Sequence, residues 1–175
     1  KLSSKINDVV QIVKFKANIA LLNEGVGNYQ LSIKILKQND AFLDQNESLY
    51  EKDQFQNSKS NTYTNLGNSY EGYYYKNREK AYLLDSAEYY YKKSIAYSDR
   101  FIDNKTISKL SLGNIYLIKK DYVNAEKIYY DISFYAKQTD NEDLYQIANY
   151  NLGDLYYSIK KYDKALIFLK KVDSI

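Results

Sequence analysis

The chain contains no cysteine, histidine, proline, methionine or tryptophan, and only six of its 175 residues are glycine. Without cysteine, neither a disulfide framework nor a thiolate metal site can form. Without histidine, the commonest metal ligand and general base are missing. Only a carboxylate-based enzyme would remain, so no catalytic residue, no metal ligand and no cofactor is expected. A β-rich chain of this size needs many more turn residues than these, and the breaker-free stretches of Leu, Ile, Lys, Glu, Asn and Tyr favour helices. The 25 basic and 22 acidic residues are interspersed, leave a net charge of +3 and form no run of five Lys or Arg. The usual electrostatic footprint for direct nucleic-acid contact is therefore absent. No apolar run is long enough to span a membrane. No signal peptide is visible, and the first residue is Lys1, which suggests a processed form or an excised fragment. Lack of cysteine suits cytoplasm and periplasm equally.

What the chain has is an internal repeat. Asn65-Leu66-Gly67-Asn68-Ser69-Tyr70 returns as Ser111-Leu112-Gly113-Asn114-Ile115-Tyr116 and again as Asn151-Leu152-Gly153-Asp154-Leu155-Tyr156. In the last two copies a tyrosine follows ten residues after the leucine (Tyr122, Tyr162) and an alanine three later (Ala125, Ala165). The first copy has its alanine at Ala87, eight residues late, and a degraded copy precedes it at Ile19-Ala20, Tyr29 and Ser32. Leu and Tyr four residues apart share one helical face, and Ile159-Lys160-Lys161 suits a tight turn. A second amphipathic helix then runs through Ala165, Leu166, Leu169 and Val172. Gly113 or Gly153 facing Ala125 or Ala165 would let two backbones approach closely.

The spacing predicts eight helices, near 6–24, 27–46, 60–77, 79–98, 105–118, 121–138, 142–158 and 161–173. Residues 47–59 read as a loop or an extension of the second helix. Gly25 and Gly27 form the turn between the first two helices. The carboxylate pairs Glu142-Asp143 and Asp40/Asp44 can be read as acid/base or cation sites, but the first falls at a helix start, where acidic residues are favoured by exposed N–H groups, and that plain account is preferred.

On Tyr150-Asn151-Leu152-Gly153, Tyr156-Tyr157 and Tyr162-Asp163-Lys164-Ala165, with the weaker copies before them, the chain resembles the tetratricopeptide repeat family. The resemblance implies an all-α fold: an α–α superhelix (a solenoid) of about four helix-turn-helix repeats, roughly 13–46, 60–100, 106–139 and 146–175, in one domain over 1–175. Its repeat-defining positions would be Leu66, Gly67, Tyr70, Ala87, Leu112, Gly113, Tyr116, Ala125, Leu152, Gly153, Tyr156 and Ala165. Tyr63, Tyr91, Tyr122, Tyr129 and Tyr162 also fall on packing positions. The chain departs from the family in lacking the closing proline and in spacing Leu66, Leu112 and Leu152 by 46 and 40 residues rather than 34. Eight extra residues within Glu71–Leu83 lengthen one pair.

In family members that bind peptides, the first helix of each pair lines a groove. Carried over, its contact positions are Asn61, Thr64, Asn68 and Glu71, then Leu110, Asn114, Leu117 and Ile118, then Ile147, Tyr150, Asp154 and Tyr157. The basic partners of a carboxylate clamp are missing at Thr64, Ser111 and Asn151, so a chaperone tail is not the expected ligand. The expected partner is a protein or peptide. The Tyr73-Tyr74-Tyr75 cluster in the inserted stretch is a further candidate surface. Leu166, Leu169 and Val172 would lack a covering helix, implying either more chain or a homodimer through that end. Tyrosine-rich repeats of this kind look like those of bacterial signalling proteins, where they precede a histidine-kinase or helix-turn-helix module. The implied role is a sensory or regulatory interaction region; the alternative is a static assembly scaffold or lipoprotein adaptor.

Overall fold

A computed structural model of the chain describes residues 2–100 and 102–173, and side chains at 8–100 and 102–172. Residues 1, 101, 174 and 175, which the expected ranges include, lie outside the described residues. The order is α1 (Leu2–Gly25), α2 (Tyr29–Gln45), a 3-10 turn (Glu47–Leu49), α3 (Lys52–Lys76), α4 (Tyr82–Tyr97), α5 (Ile102–Ile118), α6 (Tyr122–Gln138), α7 (Glu142–Ser158) and α8 (Tyr162–Asp173). No strand occurs among the described residues. The architecture is an all-α helical repeat fold in which helices pack on their neighbours in sequence: α1 on α2, α2 on α3, α3 on α4, then α6 on α7 and α7 on α8.

The boundaries expected from spacing hold within a few residues, with two differences. The first helix begins at Leu2, and residues 52–59, expected as loop or as a continuation of α2, are the first two turns of α3. The reason is burial. Phe55 packs with Val13 and Leu43, and Lys59 sits inside the protein at 1% exposure, so this polar stretch is helical through contacts its composition hides.

The described residues form two compact units, 1–108 and 109–175, with the division inside α5. Apolar clusters of the first unit include Ala20/Ile33/Leu36/Tyr63/Leu66 and Val13/Leu43/Phe55. The second includes one built from Ala125, Tyr129, Leu152, Leu155, Tyr156, Ala165 and Phe168.

One turn geometry recurs. The residue two before α2, α6, α7 and α8 adopts positive φ: Gly27 at 79°, Lys120 at 62°, Asp140 at 49° and Lys160 at 61°. The next N–H then reaches back five residues, as in Asn28 N–H to Asn23 O at 2.7 Å, Asp121 N–H to Tyr116 O at 2.8 Å and Lys161 N–H to Tyr156 O at 2.9 Å. These bonds satisfy carbonyls the helix end would leave without donors. Asp121 and Asn141 then cap α6 and α7, accepting from Asn124 N–H and Leu144 N–H. Glu142 and Asp143 lie in the first turn of α7, where the helix end favours negative charge.

Gly153 does meet the backbone of Ala165, whose carbonyl lies 3.5 Å from an added Cβ, but the tightest neighbours of the three repeated glycines are large side chains. A Cβ at Gly67 would lie 2.4 Å from the Tyr91 ring, at Gly113 2.6 Å from the Tyr129 ring, and at Gly153 2.6 Å from the Leu169 side chain. Each glycine is thus a seat for the large side chain four residues after the conserved-pattern alanine: Ala87 and Tyr91, Ala125 and Tyr129, Ala165 and Leu169. The alanines are buried beside them, at 0%, 0% and 3% exposure. Leu169, expected on the outer side of α8, is held inward by Gly153; Leu166 and Ile167 are the residues that face solvent.

Candidate functional site

The first helix of each pair carries the expected groove positions, and the structure sorts them into three kinds. The first kind is turned inward. The Thr64 hydroxyl bonds to Ser60 O (3.1 Å), Ser94 Oγ (2.8 Å) and Ser108 Oγ (2.9 Å). It belongs to a buried hydroxyl cluster in which Ser60 also meets Ser94 (3.1 Å) and Ser98 (2.6 Å), and Ser94 meets Ser108 (2.8 Å). This cluster ties α3, α4 and the start of α5 together. The spacing Ser60/Thr64 and Ser94/Ser98, four residues apart on facing helices, is the signal that could have found it.

The second kind orients the seated tyrosines. Tyr91 donates to Asn68 Oδ1 (2.9 Å) and Glu71 Oε2 (2.7 Å), and Tyr129 donates to Asn114 Oδ1 (2.7 Å). Where Leu169 replaces the tyrosine, the following position is Asp154, which is exposed. Asparagine after glycine therefore accompanies tyrosine as its acceptor. Burial raises the Glu71 carboxyl above its ordinary pKa, against the Tyr91 and Tyr75 hydrogen bonds that lower it. Glu24, which accepts from Ser69 Oγ at 2.7 Å, is raised by burial as well.

The third kind is open to solvent. On α7, Ile147 (48% exposed), Tyr150 (57%) and Tyr157 (63%) form one stripe with exposed Asp154, since a spacing of three and four residues keeps side chains on one helical face. Tyr157 meets the ring of Tyr162 edge-on, with centroids 5.5 Å apart. Tyr162, expected among packing residues, is itself exposed. Leu110 and Leu117 are half-buried against the second unit's core, and Ile118 is half-buried. In the first unit Asn61 is exposed and lines a cavity between α1 and α3.

The repeat-defining residues Leu66, Ala87, Leu112, Ala125, Leu152, Tyr156 and Ala165 are buried, and Tyr70 and Tyr116 half-buried. Of the Tyr73-Tyr74-Tyr75 cluster, Tyr73 stacks on Tyr29 with centroids 6.4 Å apart, and Tyr75 is exposed.

Two features go beyond the expected ones. Asp40 and Asp44, a carboxylate pair read as a possible acid/base or cation site, lie four residues apart on α2 and converge on the buried Lys59 ammonium, both at 2.5 Å; that lysine was not foreseen. Lys59 Nζ also lies near Tyr63 Oη at 3.4 Å and over the rings of Phe55 and Tyr63. Burial works to lower the Lys59 pKa, but the two carboxylates outweigh it and hold the ammonium charged. Burial pushes the neighbouring Tyr63 hydroxyl far up. The second feature is a set of solvent-facing apolar side chains on α1, Ile12, Phe15 and Leu22, with exposed Val26 in the turn that follows. Among the described residues no three His, Cys, Asp or Glu gather as a metal site, and no helix is long and apolar enough to cross a membrane.

No protein-family profile matches the chain, and no curated protein sequence matches it. Among solved structures, BtubC (BKLC) from P. vanneervenii is similar, with a TM-score of 0.71 and 17% identity over 98% of this chain and 72% of its own. At that identity the likeness concerns the fold: a helical repeat protein.

Proposed function

We propose that the chain is a protein- or peptide-binding scaffold of the tetratricopeptide type, serving as the sensory or regulatory interaction region of a larger bacterial signalling protein or transcription regulator. The observation that carries the binding role is the α7 stripe. Ile147, Tyr150 and Tyr157 expose about half or more of their surface on a helix whose opposite face is fully buried. Aromatic side chains with a polar tip, standing clear on a rigid element, are the residues that anchor partners. The repeat residues Leu-Gly-Asn/Asp-x-Tyr and the glycine seats support the tetratricopeptide assignment. A homodimer through α8 would use Leu166 and Ile167, exposed at 53% and 57%.

Selection of binders from a random peptide library tests the reading. Selected peptides should lose at least about tenfold in affinity, roughly 1.4 kcal/mol, on the double variant Tyr150→Ala/Tyr157→Ala, with the unfolding midpoint unchanged. A library that yields no binder, or binders indifferent to both tyrosines, overturns it. Solution mass before and after Leu166→Asp decides the dimer.

A further inference from the structure

The repeat register sets α1 against helices that have neighbours on both sides. Aligning Ile19-Ala20 with Leu66-Gly67 of α3 and Leu152-Gly153 of α7 brings Phe15 level with Thr62 and Ala148, and Leu22 level with Ser69 and Leu155. Those four residues are buried, on helices over which α2 and α6 pack. Ser69 Oγ, for one, lies 2.9 Å from Ser32 Oγ of α2. Phe15 and Leu22 are instead 66% and 72% exposed. The face of α1 that a preceding helix would cover is therefore open and apolar.

The α2–α3 contact shows what such a face receives. Tyr29, the first residue of α2, sits over Gly72, where a Cβ would lie 2.4 Å from its ring, and it stacks on Tyr73. In the same register Gly72 corresponds to Gly25, and Tyr73 to Val26. A Cβ at Gly25 would meet nothing within 4 Å among the described residues, and Val26 is exposed. Helix α1 thus ends in an empty copy of the tyrosine seat. The matching ring is on α8. Tyr162 opens α8 as Tyr29 opens α2, and Leu166 stands where α2 has Ile33, which is buried with Tyr63 and Leu66 of α3. Both Tyr162 and Leu166 are exposed.

We infer that α8 of one copy packs on α1 of a second copy as α2 packs on α3, with Tyr162 seated over Gly25 beside Val26 and Leu166 close to Leu22. This contact rests on the reading of α8 as a self-association surface and gives that surface its counterpart. The partner is a second copy because seat and ring agree in residue type and in spacing: Tyr162 precedes Leu166 by four residues, as Tyr29 precedes Ile33, and Leu22 precedes Gly25 by three, as Ser69 precedes Gly72. Two different faces meet, so the contact is heterologous. Each added copy leaves one of each face open, and assembly continues unless the ends close into a ring.

Sedimentation equilibrium on the 175-residue chain tests this. The average mass should rise with concentration and pass that of a dimer. Leu22→Asp and Leu166→Asp, both at exposed positions, should each leave a folded monomer with an unchanged circular-dichroism spectrum. An equal mixture of the two should form dimers and nothing larger, because one variant keeps its α1 face and the other its α8 face. Gly25→Ala is the sharper probe. Its methyl touches nothing within the chain but fills the seat, so association should weaken severalfold while the unfolding midpoint does not fall. A chain that stays monomeric at every concentration overturns the inference, as does a mixture that fails to dimerise or a Gly25→Ala variant that associates undiminished. Mass lost in Leu166→Asp but kept in Leu22→Asp would mean that α8 meets α8, which sinks this contact and leaves the α8 reading standing. Library peptides that depend on Tyr150 and Tyr157 should bind Leu22→Asp normally, so the fate of the α7 stripe is decided separately.

Discussion

The two units are built from the same helix pair but fill it with different chemistry. In residues 1–108, a lysine ammonium and five hydroxyl-bearing residues lie between helices, each hydrogen-bonded or ion-paired. In residues 109–175 the interior is mainly apolar: beside buried Asn149, which donates to Ser133 Oγ at 3.1 Å, Tyr156 stacks on Phe168 at 5.4 Å with its hydroxyl turned to Glu126 and Tyr130. Both units show apolar side chains to solvent, the first on α1 and the second as an apolar-aromatic face on α7, and the first adds carboxamides on α3. A helix repeat thus constrains where side chains go, not whether they are polar, and a unit with polar joints demands geometric fit where a unit with oily joints demands volume.

Removing the buried cation should break this contrast most severely. Lys59→Met leaves Asp40 half-buried beside an apolar group, and breaking a buried pair from one side costs about 3 kcal/mol. Hydrogen exchange should show residues 2–100 losing protection while α6 to α8 keep theirs; an equal loss in both would mean that the units unfold as one. Next come the glycine seats. Gly67→Ala drives a methyl to 2.4 Å from a Tyr91 ring held at its hydroxyl by Asn68 and Glu71. Overpacking of this kind costs about 2 kcal/mol. Gly153→Ala meets Leu169, which has no hydrogen bond to keep it in place, and should cost less; denaturant midpoints of the two variants give the order. Within the hydroxyl cluster, Ser94→Ala removes the shared partner of Ser60, Thr64 and Ser108 and should cost about 1 kcal/mol, again confined to the first unit.

The smallest effect concerns pH. Burial raises the Glu71 carboxyl, so the folded state favours its protonated form. The stability this group contributes is full below its unfolded pKa and is lost as pH rises through the raised folded value. The chain should therefore lose some stability between mildly acidic and neutral buffer. Glu71→Gln, which still accepts from Tyr91, should flatten that slope when urea midpoints are compared.

Helix number, pairing and the glycine positions were legible because steric demands repeat: a hole for a large side chain must recur wherever the pair recurs, and Leu-Gly-Asn/Asp-x-Tyr records it. The ring itself was less legible. Gly113 pointed to Ala125, whereas the space is filled by Tyr129 one turn on, as Tyr91 fills that over Gly67, and the asparagine after the glycine reads as a ligand contact until its hydroxyl partner is seen. Lys59 was hidden altogether. A lysine flanked by Ser58 and Ser60 looks solvated, and the two aspartates that neutralise it lie 19 and 15 residues back, on another helix. The α7 stripe could be placed by number, since its exposure follows from the same periodicity that buries Ala148, Leu152 and Leu155.

The tyrosine seats have a mechanical consequence. A ring lodged over a glycine and tethered through its hydroxyl has one notch to sit in, because a shift of one turn along the partner helix would bring it against a side chain. The α3–α4 and α5–α6 pairs are in that sense keyed, each docking at a single register. The α7–α8 pair replaces key and tether with a leucine, whose rotamers accommodate sliding. Any adjustment the chain makes on gripping a partner would then be absorbed at α8, the untethered lever of the set.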